Sequence, residues 1–139
     1  MQTKSTIEIT QYFPVDRETV WAALTEIDEM REWYFPQIPE FKAEKGFKTG
    51  FDVEHKGKVY PHRWQICEVE ENRLIAYSGR YKGIPGDSKA AFHIEDEKRG
   101  TSLTIIHEVL DRFPKDDPAF SEESGRAGWT NVLSNRLIS

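Results

Sequence analysis

Strand-like segments separated by turn residues fill residues 47–110, and this stretch constrains the fold more than any other part of the sequence. Apolar and polar side chains alternate along each segment, as in strands that bury one face. The segments follow one another with short turns and no helical stretch between them, so neighbouring strands run in opposite directions. The pattern predicts an antiparallel meander that supplies most of a sheet of about six or seven strands.

The alternation places a mainly apolar set of side chains on one face of this sheet. On successive strands the set comprises Phe51, Val53 and His55; Tyr60, His62, Trp64 and Ile66; Ile75, Tyr77 and Gly79; Ala90, Phe92 and Ile94; and Leu103, Ile105 and His107. Val69 breaks the alternation of its strand by one residue, which predicts a β-bulge near Glu68. We expect this face to be buried.

Dipeptides with turn chemistry separate several of the strands. Lys56–Gly57 and Glu71–Asn72 each predict a turn between two alternating segments. Pro85–Gly86 suits positions i+1 and i+2 of a type II turn, because glycine adopts the positive φ of the second position at low cost. We therefore expect a chain reversal at Pro85–Gly86.

One strand and two short helices are predicted before the meander. TIEITQYF alternates over residues 6–13 and ends before Pro14, which indicates a strand. Asp16 is a suitable N-cap for a helix beginning DRETVWAAL. A second short helix is predicted in EIDEMREWYF and ends before Pro36.

A long helix is predicted at the carboxyl end, from about Ser121. Its apolar positions recur at helical spacing and are Trp129, Val132, Leu133 and Leu137. Gly125 lies on the same face one turn before Trp129, although glycine in a helix interior costs about 1 kcal/mol relative to alanine. A position without a side chain on the buried face predicts either a close backbone approach or space for another molecule.

Length, charge and cysteine content limit the class of protein. The 139 residues suit a single domain spanning residues 1–139, and the formal net charge is −5. No block of Lys and Arg stands out among the 19 basic residues, so nucleic acid is not an expected partner. No apolar run is long enough for a membrane span, no secretory signal is evident, and Cys67 has no cysteine to pair with. We expect a cytoplasmic protein, monomeric or homodimeric.

No catalytic or metal-binding pattern is apparent. The four histidines, His55, His62, His93 and His107, lie on different predicted strands without metal-ligand spacing. Adjacent His107 and Glu108 point to opposite faces of a strand, so they do not form an acid–base pair. We predict no metal, cofactor or catalytic residue, although the sequence leaves enzymatic activity open.

Several ordered segments resemble the START-like (SRPBCC) superfamily, in particular the branch named after the activator of the Hsp90 ATPase. They are WAALTEIDEMREWYF, HRWQICEVEENRLIAYSGRYKGIPGDS, LTIIHEVLDRFP and FSEESGRAGWTNVLSNRL. The resemblance implies an α+β helix-grip fold, in which a curved antiparallel sheet wraps around a long C-terminal helix and leaves a cavity. In similar sequences the position of Gly79 often holds tryptophan, so we expect either more space there or a locally different strand.

Binding of a small hydrophobic or amphipathic molecule in this cavity is the first functional hypothesis. The residues predicted to bind it are Trp33, Phe51, Val53, His62, Trp64, Ile66, Tyr77, Phe92, Ile105, His107, Trp129, Val132 and Leu133. The alternatives are a completely filled core in an interaction module for a chaperone or another protein, and an enzyme acting on an aromatic or polyketide-like substrate.

Overall fold

Three helices and six strands make up the part of the chain that the computed structural model describes, residues 5–111, 113–114 and 122–131. In chain order they are β1 (Ser5–Phe13), α1 (Arg17–Thr25), α2 (Ile27–Trp33), β2 (Lys48–His55), β3 (Lys58–Glu70), β4 (Leu74–Tyr81), β5 (Ile84–Glu97), β6 (Gly100–Asp111) and α3 (Glu122–Asn131). The strands form one antiparallel sheet in the order β1-β6-β5-β4-β3-β2. The predicted α+β class and the meander are confirmed, and the curved sheet is open because its edge strands, β1 and β2, do not pair.

Two of the predicted turns and the predicted bulge are confirmed. Lys56 and Gly57 both have positive φ, at 52° and 80°, as the two central residues of a type I′ hairpin require. Asn72 also has a positive φ of 62° at the turn between β3 and β4. The pairing of β3 with β4 shifts by one residue between Ile66 and Glu68, so the bulge lies where the break in alternation predicted it.

The turn predicted at Pro85–Gly86 is wrong, because both residues lie within β5. The chain reverses at Lys82–Gly83, between the paired residues Tyr81 and Ile84, and Gly83 supplies the positive φ of 79°. Gly86 does have a positive φ, of 129°, but for a different reason. The ring of Phe113 packs so closely on Gly86 that a methyl group there would overlap it.

The two short helices are joined to each other and to the sheet. The carboxylate of Asp16 accepts a hydrogen bond of 2.9 Å from the backbone N–H of Thr19, which confirms the predicted N-cap of α1. In α2 the indole N–H of Trp33 donates a 2.6 Å hydrogen bond to the carbonyl of Ala23. This bond satisfies the polar atom of a side chain that is only 2% exposed, and it fixes α2 against α1.

The predicted inner face of the sheet is buried, and most of the core residues lie on it. Its buried members are Phe51, Tyr60, His62, Trp64, Ile66, Ile75, Tyr77, Ala90, Phe92, Ile94, Leu103 and Ile105. His55, at the end of β2, is exposed, and His93 lies on the opposite face of β5 from Phe92. The strand parities derived from alternation are therefore correct.

Helix α3 approaches the sheet closely at Gly125. A Cβ atom built there would lie 3.0 Å from Cδ1 of Ile7 on β1, whereas one built at Gly128 would have no neighbour within 4 Å. The close-approach explanation thus accounts for Gly125. Val132 and Leu133 lie outside the described residues, as does the predicted continuation of the helix. No helix in the described ranges is long and apolar enough to span a bilayer.

Candidate functional site

A stack of aromatic rings at the end of α2 connects the helices to the sheet. Trp33 stacks on Tyr34 with ring centroids 4.5 Å apart, and Tyr34 stacks on Phe35 at 4.6 Å. Tyr34 also stacks on Trp64 of β3 at 5.1 Å and contacts Trp129 of α3 at 5.8 Å. Tyr34 therefore touches elements on three sides, namely α2, the sheet and α3.

His62 lies within a second group of aromatic rings on β2, β3 and β4. Phe51 stacks on its imidazole at 5.0 Å, and the ring of Tyr81 meets it edge-on at 4.8 Å. The Nδ1 atom of His62 lies 2.8 Å from the carbonyl oxygen of Tyr60, so the imidazole donates its hydrogen there. Burial lowers the pKa of His62, and the hydrogen bond to the Tyr60 carbonyl partly opposes this. His62 is thus a neutral, hydrogen-bonded wall residue.

Tyr34 and Tyr77 share a buried hydroxyl–hydroxyl hydrogen bond. The two hydroxyls hydrogen-bond to each other, and burial raises the pKa of both groups well above the usual value for tyrosine. The ring of Tyr77 also packs on Trp64 at 4.8 Å and on Phe92 at 5.6 Å. Both hydroxyls remain neutral at physiological pH and act as fixed hydrogen-bonding groups.

His107 carries a buried polar atom with no partner. Its Nδ1 atom has no hydrogen bond within the described part of the chain, and its ring centroid lies 6.0 Å from that of Trp129 on α3. Burial lowers the pKa of His107, and the charge of Glu108 acts in the opposite direction. A neutral imidazole with an unused ring nitrogen therefore lies on the inner face, beneath α3. Leaving such an atom unpaired costs about 1–3 kcal/mol.

Small residues lie next to His107 on the inner face. Ala90 pairs with His107, and Ser88 pairs with Gly79 on β4. The Ser88 hydroxyl donates a 2.8 Å hydrogen bond to the Gly79 carbonyl. A Cβ atom at Gly79 would lie 3.1 Å from Ser88 Oγ and 3.9 Å from Trp64 Cδ1. Gly79 pairs regularly with β3, but the pairing of β4 with β5 shifts register directly after it, so the strand is locally irregular. Gly79, Ser88 and Ala90 together form what we call the small-residue floor.

The predicted binding residues fall into three groups by their exposure. Trp33, Ile66, Tyr77, Phe92 and Ile105 are at most 3% exposed, Phe51, His62 and Trp64 are 6–9% exposed, and Val53, His107 and Trp129 are half-buried. The first group lies in the solid core. His107 and Trp129 are half-buried, whereas Ser88 and Ala90 of the small-residue floor are only 5% and 6% exposed. Half-buried Tyr34, which the sequence did not predict as a site residue, contacts Trp129.

A separate groove of about 730 Å³ runs along β2, β3 and β4. Exposed residues of both charge signs line it, including Lys48, Asp52, Arg63 and Arg80. Phe51 and Trp64 of the predicted set also border this groove. Its polar lining distinguishes it from the apolar space predicted between the sheet and the C-terminal helix.

No group of three or more His, Cys, Asp or Glu side chains in the described ranges is arranged to hold a metal ion. Cys67 is a half-buried free thiol. Polar groups on the inner face are instead histidine, tyrosine, serine and threonine side chains among aromatic rings, and the buried hydroxyl of Thr49, like His107 Nδ1, has no hydrogen-bond partner in the described part of the chain. Such a lining suits hydrogen bonding to an otherwise apolar molecule.

Several solved structures have a similar fold. Protein CV1439 from Chromobacterium violaceum has a TM-score of 0.77 at 21% sequence identity, with 92% of this chain and 91% of that chain covered. Protein Mll3558 from Rhizobium loti has a TM-score of 0.77 at 17% identity, with 94% and 96% covered. CalU16 from Micromonospora echinospora has a TM-score of 0.67 at 21% identity, with 95% and 82% covered. At these identities the likeness shows the fold alone.

The sequence itself assigns the family. A search of curated proteins found no significant match. Residues 14–138, nearly the whole chain, match the family described as "Activator of Hsp90 ATPase homolog 1-like protein". The chain therefore belongs to this family, within the START-like (SRPBCC) superfamily whose fold its sheet and helices share.

Proposed function

We propose that this protein binds a small amphipathic molecule between the inner face of the sheet and the C-terminal helix, over the small-residue floor. The family is one of ligand-binding domains, which supports a binding role in general. The unpartnered Nδ1 atom of His107 is the single observation that carries the specific proposal. A hydroxyl or carbonyl group of a ligand would satisfy this atom, and its apolar part would contact Trp129 and Tyr34.

The shape of the inner face supports the same position. Gly79, Ser88 and Ala90 present little side-chain volume, whereas Trp64, Tyr77 and His107 pair with them and project further from the sheet. A molecule seated there has an aromatic wall on each side. The other buried residues predicted to bind ligand, among them Phe92 and Ile105, lie in the core beside the site, and Val132 and Leu133 enter the proposal from the sequence alone.

Fluorescence titration with the naphthalene dye prodan, which has one carbonyl acceptor on an apolar ring system, tests this proposal. His107→Leu removes the polar atom and is expected to weaken binding about fivefold, the equivalent of one hydrogen bond of about 1 kcal/mol. His93→Leu is the matched control, because His93 lies on the opposite face of the adjacent strand. Trp129→Ala is expected to weaken binding further by removing apolar contact.

Two results would contradict the proposal. One is equal binding of prodan by the wild type, His107→Leu and Trp129→Ala, provided that all three are folded. The other is binding that is lost only in Arg63→Ala, which would place the dye in the polar groove. Native mass spectrometry of protein purified from cells adds an independent readout, since a retained small molecule appears as extra mass.

A protein-interaction role of the chaperone-activator type is the rival proposal, suggested by the family's name. Such modules commonly expose a contiguous apolar patch. Within the described residues the exposed large apolar side chains are Tyr12 and Val59, which lie on β1 and β3, separated by other strands of the sheet. This arrangement favours the small-molecule proposal. An enzymatic role, a cytoplasmic location and a monomeric or homodimeric state remain predictions from the sequence.

A further inference from the structure

The ring of Phe113 occupies a defined seat just after β6. It lies against the backbone of Gly86, where a methyl group would overlap it, and it meets the ring of Tyr81 edge-on at 5.5 Å. Gly86 has a φ of 129°, a backbone conformation that residues other than glycine rarely adopt. The seat therefore depends on glycine both for backbone conformation and for space.

This seat adjoins the proposed binding site. Tyr81 follows Gly79 by two positions on β4, and both pair regularly with β3, so they share the inner face about 7 Å apart. Gly86 precedes Ser88 by two positions on β5, in a segment where the pairing with both β4 and β6 is irregular, so the contact with Tyr81 is what places the Phe113 ring on the inner face. Phe113 thus stands at the end of the small-residue floor that faces the Lys82–Gly83 turn.

Tyr81 is half-buried beside the exposed Lys82–Gly83 turn, and its hydroxyl is largely withdrawn from solvent. Burial raises the pKa of its hydroxyl to about 12, and the neighbouring Tyr60 adds to the shift. Phe113 itself is half-buried, with part of its ring accessible. The Phe113 ring therefore limits how far a bound molecule can extend along the apolar face of β4.

We propose that Phe113 is a specificity-determining residue that forms the end wall of the ligand site and limits the length of the bound molecule. The inference rests on the proposed function and refines it. Compact amphipathic molecules bind between His107 and Phe113, whereas long-chain amphiphiles bind less tightly because the ring stops their chain. Without the ring, the space continues along Tyr81 toward the hairpin turn.

Prodan and laurdan provide the probes for this inference, because they share one fluorophore and laurdan carries a much longer acyl chain. Phe113→Ala removes the ring, and Gly86→Ala displaces it from its seat. Gly83→Ala is the matched control: Gly83 also has positive φ, at 79°, but an added Cβ meets no atom within 4 Å. It places alanine at another positive φ of the same hairpin without moving Phe113.

Both test variants are expected to bind laurdan about tenfold more tightly than the wild type, while prodan affinity changes by less than about twofold. Each newly buried methylene contributes on the order of a fourfold gain, so two or more give this effect. Gly83→Ala is expected to match the wild type for both dyes. Phe113→Leu, which is shorter but still apolar, keeps the test available if Phe113→Ala does not fold, and an intermediate gain is expected.

The possible failures are distinguishable. The proposed role of Phe113 is wrong if folded Gly86→Ala and Phe113→Leu bind laurdan with the affinity of the wild type. If prodan binding still depends on His107 in that case, the proposed function remains supported. No prodan binding by the wild type overturns both.

Discussion

Alanine substitution at the two glycines of α3 is predicted to have unequal effects on stability. Gly128 is exposed and an added Cβ has no neighbour, so Gly128→Ala gains the full difference in helix propensity, about 1 kcal/mol. For a chain of this size, that corresponds to a rise in Tm of about 3 °C. At Gly125 the same gain is opposed by the contact with Cδ1 of Ile7, at 3.0 Å. We expect Gly125→Ala to lie within about 0.5 kcal/mol of the wild type.

A double-mutant cycle isolates the contact between α3 and β1. Ile7→Val removes the Cδ1 atom and should by itself cost about 0.5–1.5 kcal/mol, because Ile7 is only 4% exposed. In the Ile7→Val background, Gly125→Ala is expected to recover the full gain of about 1 kcal/mol. The coupling energy between positions 7 and 125 should therefore be about 0.5–1 kcal/mol, whereas that between positions 7 and 128 should be close to zero.

Urea unfolding followed by circular dichroism measures these differences, with tryptophan fluorescence as a second probe of two-state behaviour. Equal stabilisation by Gly125→Ala and Gly128→Ala in the wild-type background would refute the reasoning. That result would mean that the amino-terminal half of α3 does not approach β1 as described.

The buried titratable groups give two further predictions. Because burial lowers the pKa of His62 and of His107, the unfolded chain binds more protons than the folded one below the ordinary histidine pKa of 6.5. The free energy of unfolding measured with urea should therefore fall as the pH drops below 6.5, and His107→Leu should make this pH dependence less steep. Carboxylates also titrate in this range, so the difference between the wild type and His107→Leu isolates the contribution of His107. A free energy of unfolding that does not change between pH 7 and 5.5 would contradict the prediction. Tyr77→Phe and Tyr34→Phe should each cost about 1 kcal/mol, and the double variant less than their sum, because the two hydroxyls bond to each other. Strict additivity would show that the hydroxyl pair contributes no coupling energy.

Alternation along the strands predicted the sheet and its buried face, because burial of one face imposes a period of two on each strand. Even the bulge between Ile66 and Glu68 was visible as a break in this period. Turn position was predicted less well. Lys82–Gly83 and Pro85–Gly86 both offer a glycine, and the contact that explains the second glycine comes from Phe113, distant in sequence. Local patterns do not contain such a contact.

The candidate site was predicted in outline. The alternation of side chains along β6 correctly placed His107 on the inner face, and helical spacing correctly placed Trp129 on the side of α3 that faces the sheet. The two rings contact each other there. Tyr34 falls within the predicted second helix, EIDEMREWYF, but spacing within a helix does not reveal which residues of other elements its last turn contacts. For Gly125 the sequence left two explanations open, and only the distance to Ile7 decides between them.

A crystal structure of the protein with bound prodan tests the central claim most directly. The account predicts the dye over Gly79, Ser88 and Ala90, with its carbonyl oxygen within hydrogen-bond distance of His107 Nδ1 and its rings against Trp129. A structure in which the dye lies in the groove at Arg63, or in which side chains fill the space above the small-residue floor and His107 Nδ1 bonds to the protein itself, would contradict it.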